Sequence, residues 1–228
     1  MLIHGTPGVG KTILSQEVAF DWATRRRKDD YIERFDIMLM LRCRDMKSDL
    51  WETIDYQLLP EDLEEHERKR FFSSIIQNEA NVLLVLDGLD EVAESKLPMI
   101  SEIIEGKELR SCRVVATARH EVGSRVRKHC DTLLEIKGFT KEDAEAFIFK
   151  YFQESKDKAK RLLSELTRDE KLKDMAASPL NIVLLCLVFE EHDGSFPESR
   201  SQLYLDIDRK STRLNSSHLK LSRMPSSA

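Results

Sequence analysis

The stretch GTPGVGKT, residues 5–12, restricts the possible folds of this chain more than any other. Gly5, Gly8 and Gly10 let the backbone turn its N–H groups inward with no side chain in the way. Such a loop works between a strand that delivers it and a helix whose positive end backs it. Both flanks are present as patterns: MLIH is a strand stub, and ILSQEVAFDWA carries an apolar helical period. The stretch fits the G-x-x-x-x-G-K-[ST] phosphate loop at every constrained position. In that reading Gly5, Thr6, Pro7, Gly8, Val9 and Gly10 surround phosphate oxygens, and the Lys11 ammonium reaches the β and γ phosphates. The Thr12 hydroxyl takes one place on Mg²⁺.

A second constraint lies at VLLVLDGLDEV, residues 82–92. Five consecutive apolar residues suit a strand buried on both faces of a parallel sheet. Asp87, Asp90 and Glu91 crowd its end, and carboxylates that close raise one another's pKa unless a positive charge sits among them. Beside a phosphate loop, Mg²⁺ and Lys11 supply that charge. Asp87 is then the residue that holds the metal through water. Glu91 or Asp90 orients or deprotonates the water that attacks the γ phosphate, with Glu91 favoured. Acids facing only solvent at a strand end are the bland alternative. VVATARH adds a strand ending in Thr117 and Arg119; the Arg119 guanidinium would distinguish a triphosphate from a diphosphate, though strand-terminal arginines are commonly structural.

The remaining chain alternates strands and helices, then turns wholly helical. RRRKDD, residues 25–30, closes the first helix, its cations suiting the helix dipole. FDIMLMLRC, CRVVATAR and DTLLEI read as further strands; the stretch from Ser48 to Asn78 reads as two surface helices broken near Pro60, and another helix surrounds SKLPMISEII. In KGFTKEDAEAFIFKYF, Thr140 is an N-cap with Asp143 placed for a capping box. KDKAKRLLSELTR, DEKLKDMAA and SPLNIVLLCLVFEEH read as three helices, the last with Ser178 as N-cap and Pro179 at its first position. The expected fold is α/β: a three-layer P-loop NTPase core with a parallel sheet over residues 1–137, followed by a small all-helical subdomain over 138–207.

Residues 208–228, DRKSTRLNSSHLKLSRMPSSA, have no hydrophobic period. They resemble the in-frame translation of a common short-read sequencing adapter, and are read as an artefactual, disordered tail; a natural basic tail is the alternative. The whole chain has 36 Lys and Arg against 41 Asp and Glu, and a formal net charge of −5. Without the tail's five cations and one acid, the counts become 31 and 40, a net charge of −9. That acidity argues against a nucleic-acid partner. No apolar run approaches the length of a membrane helix. Cys43, Cys112, Cys130 and Cys186 are scattered, with two in strongly apolar stretches, which suits reduced buried thiols and a cytoplasmic address. His4, His66, His129 and His192 show no paired metal-ligand spacing. The short strand before the first motif, and the new helix begun at RSQLYLDI, suggest truncation at both ends.

In order, GTPGVGKT, LLVLDGLDE, VVATAR, IKGFTKEDAEAFIFKYF and SPLNIVLLCLVF resemble the NACHT domain of animal NOD-like receptors, over essentially all of residues 1–207. The most specific element is DGLDE, where a glycine follows the magnesium aspartate and two acids come after it. The resemblance implies that Arg119 is the sensor arginine and that Pro179 is the proline of the helical subdomain that packs on adenine. The family often has proline after that arginine, where this chain has His120. The implied function is an ATP- and ADP-binding switch in innate immune signalling, with slow ATP hydrolysis that makes it at most a weak ATPase. Self-association through this module, an upstream effector domain and downstream leucine-rich repeats are implied with it. The alternatives are a turnover P-loop ATPase or kinase outside immune signalling, and an inert remnant without nucleotide affinity.

Overall fold

Val82–Asp87 forms strand β3, buried along its whole length inside a five-stranded parallel sheet. The computed structural model describes residues 1–25, 32, 34–197 and 199–221, with the side chains of 124, 125 and 214–221 outside the description. The other strands are β1 (Leu2–His4), β2 (Ile37–Arg42), β4 (Arg113–Ala118) and β5 (Leu133–Glu135), in the order β2-β3-β4-β1-β5. Every neighbouring pair is parallel, with Arg42 opposite Asp87, Leu86 opposite Ala116, and His4 opposite both Ala118 and Glu135. The carboxyl ends of β1, β3 and β4 therefore share one edge, where open α/β sheets bind their ligands.

Parallel neighbours need long crossovers, and helices supply them. These are α1 (Lys11–Thr24), α2 (Leu50–Leu58), α3 (Glu65–Gln77), α4 (Leu97–Ile104) and α5 (His120–Val126). Side chains alternate along β3, so both of its faces carry apolar residues inward. Val82, Leu84 and Leu86 pack with Leu39, Leu41, Ile54, Ile75, Ile100 and Ile103, drawn from β2 and from α2, α3 and α4. Leu83 and Val85 pack with Phe35 on the other face. Asp87 follows them on that face by the same alternation.

The apolar residues of α1 are spread around the helix. It lies against β2, β3 and β4, yet the residues it buries are Ser15 and Asp21, while Ile13 and Phe20 remain 69% and 50% exposed. The inward face near the loop is given to a hydroxyl that meets Asp87 rather than to packing. Helix α5 has no sequence signal, since HEVGSRV is short and carries Gly123. It forms against β1 and β4, where a Cβ on Gly123 would sit 3.4 Å from Leu2 Cδ2. Arg25 ends α1 in the left-handed region with φ 49°. The other residues of the basic–acidic run, 26–30, lie outside the described residues.

The chain divides into two compact units, Met1–Lys137 and Gly138–Ala228. The second holds α6 (Lys141–Tyr151), α7 (Lys156–Arg168), α8 (Glu170–Ala176), α9 (Pro179–Glu191) and α10 (Arg200–Leu221). Thr140 and Asp143 form a reciprocal capping box: Asp143 N–H donates to Thr140 Oγ1 at 3.1 Å, and Thr140 N–H to Asp143 Oδ2 at 3.0 Å. Helix α9 buries Ile182, Leu184, Leu185, Cys186, Val188 and Phe189, more than one stripe, as a central helix must. Leu203 and Ile207 of α10 join the same core. Among the described residues no helix is long and apolar enough to cross a membrane.

Residues 208–221, the described part of the segment read from sequence as a tail, continue α10. Its packed first half nucleates the helix, and propagation then adds a hydrogen bond for each residue ordered. Arg209 pairs with Asp206 at 3.0 Å and Lys210 with Glu191 at 2.9 Å. Residues 222–228 lie outside the description. Rim ion pairs contribute about 0–1 kcal/mol each. Deleting Asp208–Ala228 is therefore expected to lower the unfolding free energy by no more than about 2 kcal/mol, measured by urea denaturation. A larger loss would show that the tail packs as part of the core.

Candidate functional site

The loop from Gly5 to Gly10 joins β1 to α1 at the shared carboxyl edge. Gly8 and Gly10 have φ of 75° and 101°, a region that side chains rarely adopt, and a Cβ on Gly10 would meet nothing within 4 Å. At Gly10 it is therefore the positive φ, not crowding, that calls for glycine. Gly10 caps α1 without a side-chain hydrogen bond, and the first turn carries no acid. Its orphan N–H groups and the positive end of the helix dipole are left for an anion. Lys11 Nζ folds back over the loop, donating to Gly5 O at 2.9 Å and Thr6 O at 3.0 Å. Thr12 follows in the first turn with its side chain exposed.

Asp87 closes β3 at 7% exposure. Its Oδ1 accepts the Thr117 hydroxyl at 2.7 Å and the Ser15 hydroxyl at 3.3 Å. Gly88 then turns the chain with φ 78°, and its N–H donates to Thr117 Oγ1 at 2.8 Å. This turn is why a glycine follows the aspartate. Leu89, at 1% exposure, anchors a single 3₁₀ turn, Leu89–Glu91, that carries the other two acids. Asp90 accepts the Arg119 backbone N–H at 2.9 Å on Oδ1 and the Arg119 Nε at 2.8 Å on Oδ2. Glu91 is exposed and lies over Gly88, whose Cβ would sit 3.4 Å from Glu91 Cδ.

The charges act on one another across this edge. Partial burial holds the Lys11 pKa below its ordinary value, assisted by the Arg119 guanidinium, while Asp90, Asp87 and Glu91 act in the opposite sense. Cys43 stands just past β2, beside the strand end at Asp87. Burial pushes its thiol well up, and Asp87, Glu91 and Asp90 push it further. Arg119 has extended backbone, φ −76° and ψ 161°, the conformation a following proline would also favour, so His120 starts α5 without displacing the arginine. His120 Nδ1 lies 2.7 Å from His4 Nδ1, at the end of the strand that enters the loop.

Of the residues singled out from sequence, the structure brings together Lys11, Asp87, Asp90, Glu91 and Arg119 with the loop from Gly5 to Gly10. Pro179 belongs to the second unit, at the first position of α9. Sequence reasoning missed the hydroxyls of Ser15 and Thr117 on Asp87, and the Asp90–Arg119 pair. The available signal was a threonine among Val114, Val115, Ala116 and Ala118 of a buried strand, since a buried hydroxyl implies a polar partner. A glycine loop with its lysine and a helix N-terminus, beside a buried, partly committed aspartate, fits a nucleotide phosphate with a hydrated divalent cation.

A family model described as the NACHT domain matches residues 1–155. NLR family CARD domain-containing protein 4 of Xenopus tropicalis is 26% identical over 185 residues, covering 81% of this chain and 18% of that protein. Nucleotide-binding oligomerization domain-containing protein 2 of Bos taurus is 25% identical over 234 residues, covering 92% of this chain and 22% of that protein. The chain thus spans about a fifth of the length of these curated relatives. Among solved structures, a Thermotoga maritima RuvB Holliday junction branch migration motor is similar with a TM-score of 0.44, at 11% identity, over 91% of this chain and 60% of that one. That likeness is too slight to bear on function.

A thiol whose pKa is pushed up holds less of itself as thiolate, the form that reacts. At pH 8, iodoacetamide is expected to alkylate Cys43 at least about tenfold more slowly in the native chain than in urea. Peptide mass spectrometry reads the difference. Equal rates would show Cys43 to be open to solvent.

Proposed function

The chain belongs to the NACHT family, and on that premise we propose that it is an ATP- and ADP-binding module that changes conformation with its nucleotide in innate immune signalling. The observation that carries the reading is the convergence of a glycine-rich loop, Lys11, and the Asp87–Asp90–Arg119 group at one sheet edge. The relatives' names, which include nucleotide-binding oligomerization and NLR family CARD domains, support nucleotide binding, self-association and partner domains in the longer protein.

The loop N–H groups and the α1 terminus bind phosphate oxygens, and Lys11 exchanges its two loop carbonyls for the β and γ phosphates. Thr12 and Asp87 are the residues that would hold Mg²⁺, which when bound spreads the phosphate charge and aligns the β and γ groups. Asp90 has both oxygens engaged by Arg119, which leaves Glu91 the better placed acid to orient water. Arg119, tethered through Nε, keeps its remaining N–H groups for a γ phosphate. A ligand shifts two arrangements only by its differential affinity for them, and the γ phosphate supplies that difference at Arg119. Slow hydrolysis then resets the state. Pro179 contacts adenine in this reading, and the whole acts in the cytoplasm. Residues 1–137 are the nucleotide core and 138–207 the helical subdomain.

Lys11→Ala is expected to abolish ADP and ATP binding in calorimetric titration; retained micromolar affinity would overturn the loop assignment. Glu91→Gln is expected to slow single-turnover hydrolysis of ATP about a hundredfold or more while leaving affinity unchanged. If Asp90→Asn alone does this, the two acids exchange roles. Wild-type turnover of roughly 1 s⁻¹ or faster without a partner would favour a kinase or motor instead.

A further inference from the structure

We propose that Thr117 is the positioning residue of the metal side of the site. Its hydroxyl fixes the rotation of the Asp87 carboxylate, so that Oδ2 is the oxygen left for a hydrated divalent cation. The inference rests on the nucleotide-site reading above and adds a residue to it.

The hydrogen-bond direction is determined by chemistry. The Gly88 N–H can only donate, and it donates to Thr117 Oγ1 at 2.8 Å. The hydroxyl has one proton, and its second polar neighbour is Asp87 Oδ1 at 2.7 Å, which accepts. The chain Gly88 N–H to Thr117 O–H to Asp87 Oδ1 is therefore one-way, and each bond strengthens the next. Ser15 also reaches Oδ1, but at 3.3 Å, and it lies 3.3 Å from Lys11 O as well, so the short bond is that of threonine.

Burial makes this contact a constraint rather than a preference. Thr117 is 1% exposed and Asp87 7%, so bulk water does not stand in for the hydroxyl. Threonine is β-branched and stiff at χ1, which holds Oγ1 in place. Its neighbours in β4 are Val114, Val115, Ala116 and Ala118, so a hydroxyl is the costly choice at this position unless it is bonded. Thr117 also stands opposite Ile3 of β1, two residues before the loop. Strand β4 lies between β1 and β3, and Thr117 is thereby set between the phosphate loop's strand and the metal aspartate. Thr12 and Asp87 are the residues that would hold the cation, and a carboxylate already fixed in one orientation would spare it that ordering on binding.

The test is the Mg²⁺ dependence of fluorescent ADP binding by the full chain, measured from EDTA to excess Mg²⁺. Thr117→Val keeps the shape and removes the hydroxyl. It is expected to raise the half-saturating Mg²⁺ concentration about five- to tenfold while changing the metal-free affinity by less than about twofold. Thr117→Ser, which restores a hydroxyl, is expected to return the midpoint to within about twofold of wild type. A midpoint unchanged in Thr117→Val, an equal loss with and without Mg²⁺, or a serine variant as impaired as the valine one would each overturn the inference. If circular dichroism shows Thr117→Val unfolded, Thr117→Cys takes its place. Its weak S–H donor is expected to shift the midpoint the same way by about two- to threefold, and no shift overturns the proposal. Wild-type protein whose ADP binding ignores Mg²⁺ would instead overturn the metal reading of Asp87 itself, a different result from either variant outcome.

Discussion

Carboxylates gathered at the end of a buried strand repel one another unless donors, cations or solvent face them. Asp87, Asp90 and Glu91 meet that condition in three different ways. Asp87 is held by hydroxyls from α1 and β4, Asp90 by the backbone and side chain of Arg119, and Glu91 stays at the solvent edge. The first arrangement requires β4 to lie beside β3 and α1 to cross the same face, and the second requires the end of β4 beside that of β3.

The same edge carries the positive side of the balance. Lys11 sits partly buried among these acids, with its ammonium turned onto its own loop carbonyls. A phosphate entering the cradle offers that ammonium stronger, charged acceptors in place of two neutral ones. The net gain on binding is therefore the difference between those charged contacts and the two bonds to Gly5 O and Thr6 O that the ammonium gives up. The buried Cys43 thiol near the same acids adds no charge of its own, because burial and the carboxylates both keep it protonated.

The helical unit has a separate core, built around α9 and sealed at its start by the Thr140–Asp143 box. Charged pairs such as Arg209–Asp206 and Lys210–Glu191 extend its last helix past the apolar residues that anchor it. A helix already nucleated by Leu203 and Ile207 can carry polar sequence further, although that sequence has no hydrophobic period of its own.

The sequence by itself determined what contiguous residues encode. The loop from Gly5 to Thr12, the apolar run that becomes β3, the glycine turn after Asp87, and the capping box at Thr140 all lie within a few residues, where steric and hydrogen-bonding rules act directly. Only the tertiary structure decided that Ser15 and Thr117, 72 and 30 positions from Asp87, share its Oδ1. The same holds for the pairing of Asp90 with Arg119, 29 positions away, and for the burial of polar residues on α1 beside exposed Ile13 and Phe20. Those contacts follow from strand order and register, and neither is a local quantity. They emerge when β4 is inserted between β1 and β3 and the carboxyl ends come level, which no spacing along the chain expresses.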